Sequence, residues 1–305
     1  MKALQLVTTP RPFFDDQLAA LERHGVECTT VTVPGDRGDR TPVDLLRFVR
    51  RVRRVADDSY DVVHANFGLT GPAALVQPVR PVVLTLWGTD VMGDHRAVKT
   101  LSRLSARRAD AVVFPSRRLT DYLDCPHHLV RFGVDTELFR PMPRDAARAT
   151  LGWDPDRLVV LFPYDPDRAV KNYPRAVDVV DRLAADADLR VVTGVPHERV
   201  STYMNASDAV LITSRRESGP LVVKEAAACN VPVVSTDVGF VRDVLGPVDA
   251  SAVRETDAGL AAALDCVLAD RRRSDGRRSA PELRADELGA RLSDLYESLA
   301  AERSA

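Results

Sequence analysis

Residues 203–245 read YMNASDAVLITSRRESGPLVVKEAAACNVPVVSTDVGFVRDVL. The run 208–212 (DAVLI) is short and dominated by branched aliphatic residues, as in a strand buried on both faces. A polar turn follows, Ser214 to Gly219, and Pro220 then opens an apolar run to Cys229. Proline suits a first helical turn, where its missing N–H is not needed. A second strand-like run, 231–235 (VPVVS), comes next. Strand, helix and strand in so short a span mean a βαβ unit in a parallel sheet.

The same rhythm runs outward in both directions. Strands are predicted at 3–7, 27–33, 61–65, 81–86, 111–114 and 128–131, then at 158–162 and 189–193. Helices are predicted near 14–24, 43–56, 70–77, 96–108 and 117–123. A second set falls near 172–185, 197–206, 220–229 and 257–270, with a final helix at about 282–300. Residues 132–145 (FGVDTELFRPMPRD) break the alternation with two prolines and read as a linker. The expected architecture is α/β: two Rossmann-like, doubly wound parallel-sheet domains. The expected boundaries are 1–140 and 141–280, with a C-terminal helix in 281–305 packing back across the domains. Such sheets bind ligands beyond the carboxyl ends of their strands, so a cleft between the halves is the expected ligand site.

Composition narrows the partners. The chain has 305 residues, with Lys+Arg 42 against Asp+Glu 44, a formal charge of −2. That balance gives no reason to expect nucleic acid. No apolar run approaches the roughly 18 residues of a membrane span, and the N-terminus opens straight into a strand-like run. A cytoplasmic protein is expected. Cys28, Cys125, Cys229 and Cys266 are scattered, without metal-knuckle or disulfide spacing. The stretch RFVRRVRRV, Arg47 to Val55, has apolar residues at helical spacing. It reads either as a sheet-covering helix with a solvated arginine face or as a peripheral contact with an anionic membrane. Arg271, Arg272, Arg273, Arg277 and Arg278 read as a solvated loop.

The chemistry centres on the turn after 208–212. Gly219 lets backbone approach a ligand closely, and the free N–H groups of the following helix turn suit a phosphate. Glu217 and Glu225 flank that position. Two carboxylates beside a phosphate site make sense if the ligand also carries sugar hydroxyls, since a carboxylate accepts from neighbouring hydroxyls. That ligand is a nucleotide sugar.

Glu217 and Glu225, with the intervening residues, resemble the E-x7-E element of retaining GT-B glycosyltransferases of the family-4-like group. The likeness extends through AAACNVPVVSTDVGFVRDVL (226–245) and YMNASDAVLITS (203–214). It includes YDVVHANFG (60–68), LTLWGTDV (84–91), ADAVVFPS (109–116) and FGVDTELFRP (132–141). Within the group, 195–208 and VVKEAAACNVPVVS look most like enzymes building teichuronic-acid or capsular polysaccharides. The resemblance implies a GT-B fold and transfer of a sugar, with retention, from a UDP- or GDP-sugar. The acceptor would be a hydroxyl of a surface glycan or a lipid-linked oligosaccharide, worked on at the inner face of the membrane. It implies that Glu217 lies against the transferred sugar and Glu225 binds the ribose. Lys171 and Arg168 hold the diphosphate, and Gly219, Pro220, Leu221 and Val222 contact the donor. Gly194 and Val195 lie near the base. It implies no bound metal and no cofactor; Asp165/Asp167, Asp154/Asp156 and Asp186/Asp188 read as turn and cap residues.

On the acceptor or sugar side the candidates are Trp87, Gly88, Asp90 and His64. His64 faces the acceptor or is hydrogen-bonded in the core. Asp90 serves the site or caps the next turn. Trp87 stands where many relatives have a histidine. It either offers a flat face to the sugar or turns inward beside the glycine-free loop 8–15 (TTPRPFFD). Two rivals to the enzyme reading remain: a non-catalytic GT-B donor-binding partner protein, and a nucleotide-sugar epimerase of the same fold.

Overall fold

The computed structural model describes residues 1–36, 38–280 and 283–304. The chain forms two compact units, 1–132 with 285–305, and 133–284. The first holds β1 (Lys2–Val7), β2 (Glu27–Thr32), β3 (Val62–Ala65), β4 (Val82–Thr85), β5 (Ala111–Phe114) and β6 (His128–Leu129). They form one sheet in the order β2-β1-β3-β4-β5-β6, and every pair is parallel. The second unit holds β7 (Leu158–Phe162), β8 (Ala187–Val191), β9 (Ala209–Ile212), β10 (Val233–Ser235) and β11 (Ala252–Val253). Its order is β11-β10-β9-β7-β8, again all parallel. Counted from its own first strand, the first unit runs 2-1-3-4-5-6 and the second 2-1-3-4-5, and in both the order reverses beside the first strand.

Side-chain alternation explains why the second sheet is covered on both faces. Leu161, Val210, Ile212 and Val233 pack in one cluster with Val223, Ala226 and Ala227 of the helix Leu221–Ala228. Val160, Phe162, Ala209, Leu211 and Val234 point the other way. They meet Ala176 and Val179 of the helix Tyr173–Val180, and Leu260 and Leu264 of the helix Asp257–Asp270. In the first unit, Phe48 and Val52 of the helix Pro42–Val55 pack on Leu4, Leu6 and Val63. Its arginines Arg47, Arg50, Arg51, Arg53 and Arg54 are exposed, so this helix covers its sheet as one of its two readings required.

The units meet in sequence at 132/133, not at 140. Phe139 is buried in the core of the second unit. Arg277 donates to the carbonyls of Phe139 at 2.9 Å and Thr136 at 2.9 Å, which ties the linker to that unit. Arg277 is thus structural and not a solvated loop residue. So is Arg273, which bonds the carbonyls of Ser207 and Asn205. The linker also runs into an unexpected helix, Arg144–Leu151. Arg148 within it is 1% exposed and bonds Asp208 at 2.8 Å and the Ala206 carbonyl at 2.8 Å. β8 begins two residues earlier than its pattern suggested, because it is an edge strand with weak apolar bias.

The final helix, Ala285–Ser304, belongs to the first unit; its expected start at 282 lies outside the described residues. Gly289 is needed there, since a Cβ would sit 2.7 Å from the backbone of Ala20 in the helix Pro12–Arg23. Asp286 pairs with Arg23 at 2.9 Å, and Tyr296 is fully buried.

Candidate functional site

In the second unit the loops after β7 and β9 leave neighbouring strands at the point where strand order reverses. Sheet topology thus brings together residues some forty positions apart. Thr213, at the end of β9, donates to the carbonyls of Lys171 at 3.2 Å and Asn172 at 3.0 Å. The N–H of Arg215 bonds the Val170 carbonyl at 2.9 Å. Asn172, with φ of 58°, takes the left-handed conformation that asparagine tolerates. It turns the chain from the loop into the helix Tyr173–Val180.

This frame sets Lys171 against Glu217. Lys171 is 5% exposed, and its Nζ is ion-paired with Glu217 Oε1. The same oxygen accepts from Ser214 Oγ at 2.9 Å. Lys171 Nζ also stands 3.7 Å from the centre of the Tyr164 ring, a cation–π contact. Burial pushes the Lys171 pKa down, and the Glu217 carboxylate acts in the opposite sense. The Tyr164 hydroxyl is buried, with the Ser214 side chain the polar group beside it. Its pKa is pushed well up, first by burial and then by Glu217 and Glu225.

Beside this pair lies a cavity of about 280 Å³. Tyr164, Arg168, Gly194, Val195, Val222 and Glu225 are on its wall, with Leu161, Val192 and Val200 supplying apolar surface. Gly194 has φ of 70° and open space where a Cβ would be, so backbone conformation is what requires glycine there. The wall offers a carboxylate, a guanidinium and an apolar face, which is the equipment for a ribose, a phosphate and a base.

The structure thus gathers Arg168, Gly194, Val195, Val222 and Glu225 on one cavity, with Lys171 and Glu217 paired over Tyr164. Pro220 stands one position before the helix rather than in its first turn, and Leu221 is the first helical residue. Gly219 has a packing reason: an added Cβ would lie 2.3 Å from the ring of Phe240. Two residues had no strong signal in the sequence. Tyr164 is one. Lys224 is the other, fully buried with its Nζ 5.4 Å from the centre of the Phe240 ring. The Asp triplets serve local structure: Asp154 and Asp165 each accept the N–H two residues on, while Asp186 and Asp188 pair with Arg157.

The first-unit candidates resolve differently. His64 is fully buried, with Nδ1 2.5 Å from Tyr296 Oη and Nε2 2.7 Å from Thr85 Oγ1. Burial takes its pKa down to about 3. Both ring nitrogens are committed inside the core, so His64 has none to offer an acceptor. Asp90 is also fully buried and accepts from the N–H groups of Gly68 at 3.1 Å, Trp87 at 3.1 Å and Gly88 at 2.8 Å. It holds the turn around Gly88, whose φ of 114° requires glycine. Burial raises the Asp90 pKa against those three bonds. Trp87 is stacked on Phe132 at 4.2 Å and 14°, with Phe13 also 4.2 Å away. One indole face is therefore taken by Phe132, and the half-buried ring lies against the glycine-free loop, as the second of its two readings has it.

Comparison with known proteins agrees with this division of the chain. Residues 5–127 match the family described as Glycosyl transferase 4-like domain. Residues 169–282 match the family Glycosyl transferases group 1. D-inositol 3-phosphate glycosyltransferase 1 of Catenulispora acidiphila is 32% identical over 243 residues, 60% of this chain and 57% of that protein. The lipopolysaccharide core biosynthesis mannosyltransferase LpsB of Rhizobium meliloti is 29% identical over 175 residues, 47% of this chain and 50% of its own length. The chain thus spans between half and three fifths of these relatives. Among solved structures, sucrose-phosphate synthase of Thermosynechococcus elongatus superposes with a TM-score of 0.83 at 18% identity, over 99% of this chain and 100% of that one. Anabaena HepE in complex with UDP-glucose does so at 0.74 and 16%, over 98% and 100%. Both likenesses are of fold, and the fold is GT-B. The chain thus carries a segment similar to the glycosyltransferase 4-like domain followed by one similar to the glycosyl transferases group 1 domain.

Proposed function

We propose that the protein is a retaining glycosyltransferase that moves a sugar from a nucleoside-diphosphate donor to an acceptor hydroxyl. The observation that carries this reading is the cavity with Glu225, Arg168 and Gly194 on its wall, beside the Lys171–Glu217 pair. Glu225 accepts from the ribose hydroxyls, and the apolar wall by Gly194 and Val195 takes the base. Arg168 and Lys171 face the diphosphate, which draws Lys171 away from Glu217. The freed Glu217 then accepts from the sugar and steadies positive charge at the anomeric carbon. The anomeric C–O bond to phosphate breaks while the acceptor oxygen bonds the same face. The acceptor proton passes to the departing phosphate oxygen.

A UDP-sugar is favoured by the fold likeness to HepE bound to UDP-glucose; a GDP-sugar fits the same chemistry. The acceptor we propose is a surface glycan or lipid-linked oligosaccharide, of teichuronic-acid or capsular type. The resemblance to LpsB, named for lipopolysaccharide core biosynthesis, is in keeping with that class. The exposed arginine face of the helix Pro42–Val55 would hold the enzyme at the inner, anionic membrane face. No helix among the described residues is long and apolar enough to cross a membrane.

The test is a turnover assay with UDP- and GDP-sugars, with and without candidate acceptors, following released nucleoside diphosphate. Release accompanied by an unchanged anomeric configuration in the product, read by proton NMR, is expected. Tight binding without release from any donor would mark a non-catalytic partner. A donor sugar altered without acceptor would mark an epimerase, and an inverted product would end the retaining assignment.

A further inference from the structure

A second cavity, of about 270 Å³, lies at the other end of the same sheet and is lined in part by Arg144, Arg271, Arg272, Arg273 and Asp208. Asp208 immediately precedes β9, and its carboxylate also accepts the N–H of Val159 in β7 at 2.7 Å. This places the cavity at the amino ends of the strands, whereas the cavity with Glu225 is reached from loops at their carboxyl ends.

The charges around it do not balance. Asp208 is the one carboxylate on the wall, and it already bonds two guanidinium groups, Arg144 at 2.6 Å and the buried Arg148 at 2.8 Å. Arg144 also reaches the exposed Asp145 at 3.6 Å, and Arg272 pairs with Asp270 at 2.7 Å. Arg273 spends its hydrogen bonds on two neutral carbonyls, of Ser207 and Asn205. Burial lowers its pKa most, Asp208 opposes that, and the neighbouring Arg144 and Arg148 add to the fall. Arg271 has no carboxylate partner among the described residues. The carboxyl end of the helix Asp257–Asp270 offsets part of this excess, but only a fraction of one charge.

We propose that this arginine-walled cavity binds a phosphate group, as inorganic phosphate or as the phosphomonoester of a small soluble molecule. Planar guanidinium groups match phosphate oxygens in pairs. The cavity is large enough for one such group with a small substituent. Arg271 and Arg272, exposed at its mouth, would close on the ligand, while Arg273 and Arg144 form its floor. The proposal stands apart from the donor site and does not depend on the transferase reading.

The test uses the full chain and inorganic phosphate, titrated calorimetrically at constant ionic strength against chloride. Saturable binding is expected, weakened by about tenfold or more in the double variant Arg271→Gln, Arg272→Gln, the scale for losing one charge-assisted hydrogen bond. Both side chains are exposed, so the variant should fold, which its melting curve in chloride checks. Arg168→Gln, in the donor loop, should leave this binding in place. Phosphate binding that survives the double variant but disappears in Arg168→Gln would assign the anion to the donor site and overturn the proposal. So would a response that chloride reproduces.

Discussion

Lys171 and Glu217 form a largely buried ion pair, and each would be costly there alone. Glu217→Ala should therefore lose about 3 kcal/mol of stability as well as turnover, whereas Glu217→Gln keeps a partner for Lys171. Chemical denaturation beside kinetics separates the two; a Glu217→Ala protein as stable as wild type would mean the pair is not formed in solution. Tyr164→Phe removes a buried hydroxyl that makes no well-formed hydrogen bond, Ser214 being its one polar neighbour. The ligand-free protein should then be as stable as wild type, or more stable by up to about 1 kcal/mol. A clear fall in melting temperature would show that the hydroxyl has a partner. His64 gives a pH signature. Burial takes its pKa to about 3 in the folded chain, against about 6.5 for an unperturbed imidazole, so the unfolded chain takes up a proton first as pH falls. Its contribution to stability is present above pH 6.5 and is lost toward pH 3, at about 1.4 kcal/mol per pH unit. Between pH 6.5 and 5, above most carboxylate titration, the slope should flatten in His64→Gln; equal slopes would contradict the buried neutral imidazole. Sequence position singled out Glu217 and Glu225 as candidates because they flank a turn between a strand end and a helix start, and the family resemblance added Lys171. It could not separate His64, Asp90 and Trp87 from site residues. Their partners are Tyr296, the backbone of Gly68, and Phe132, and no local pattern announces those.

At the level of elements, the buried strands were legible because branched apolar runs have few other uses in a soluble chain. The helices flanking them followed from 3.6-residue spacing. What escaped was small or polar: the two-residue β11, the shorter end of the helix Tyr173–Val180, and the helix Arg144–Leu151. That last helix sits behind Pro141 and Pro143 and reads as loop, since its two deeply buried side chains are a small alanine, Ala147, and an arginine, Arg148. Its meaning is visible only once Asp208 is beside it. The final helix is docked through a glycine. Gly289→Val should force it off Ala20 and cost about 1–3 kcal/mol, the range for overfilling a packed contact. Urea denaturation would measure this, and an unchanged midpoint would mean the helix is not seated as described.

For the molecule as a whole, the two units differ in continuity. Residues 133–284 are an unbroken segment with two packed faces and the whole candidate donor cavity. Expressed alone, that segment should fold cooperatively and, if the donor assignment holds, keep nucleotide binding within about tenfold of the full chain; calorimetry with UDP and GDP tests it. Residues 1–132 alone should not reach a native core, because Tyr296 is missing from beside Gln5 and His64. Adding 285–305 as a separate peptide should restore it, as near-ultraviolet dichroism would record. The return of the chain to its first unit also orders events during synthesis. Domains fold as they emerge, and the earlier one usually finishes first. Here the segment made first waits for the one made last, so the later unit can be complete while the earlier one still lacks a helix. A nascent chain whose residues 133–284 have emerged while 285–305 are still inside the ribosome would hold a finished second unit and an unfinished first one, with the surface meant for Tyr296 still open to chaperones.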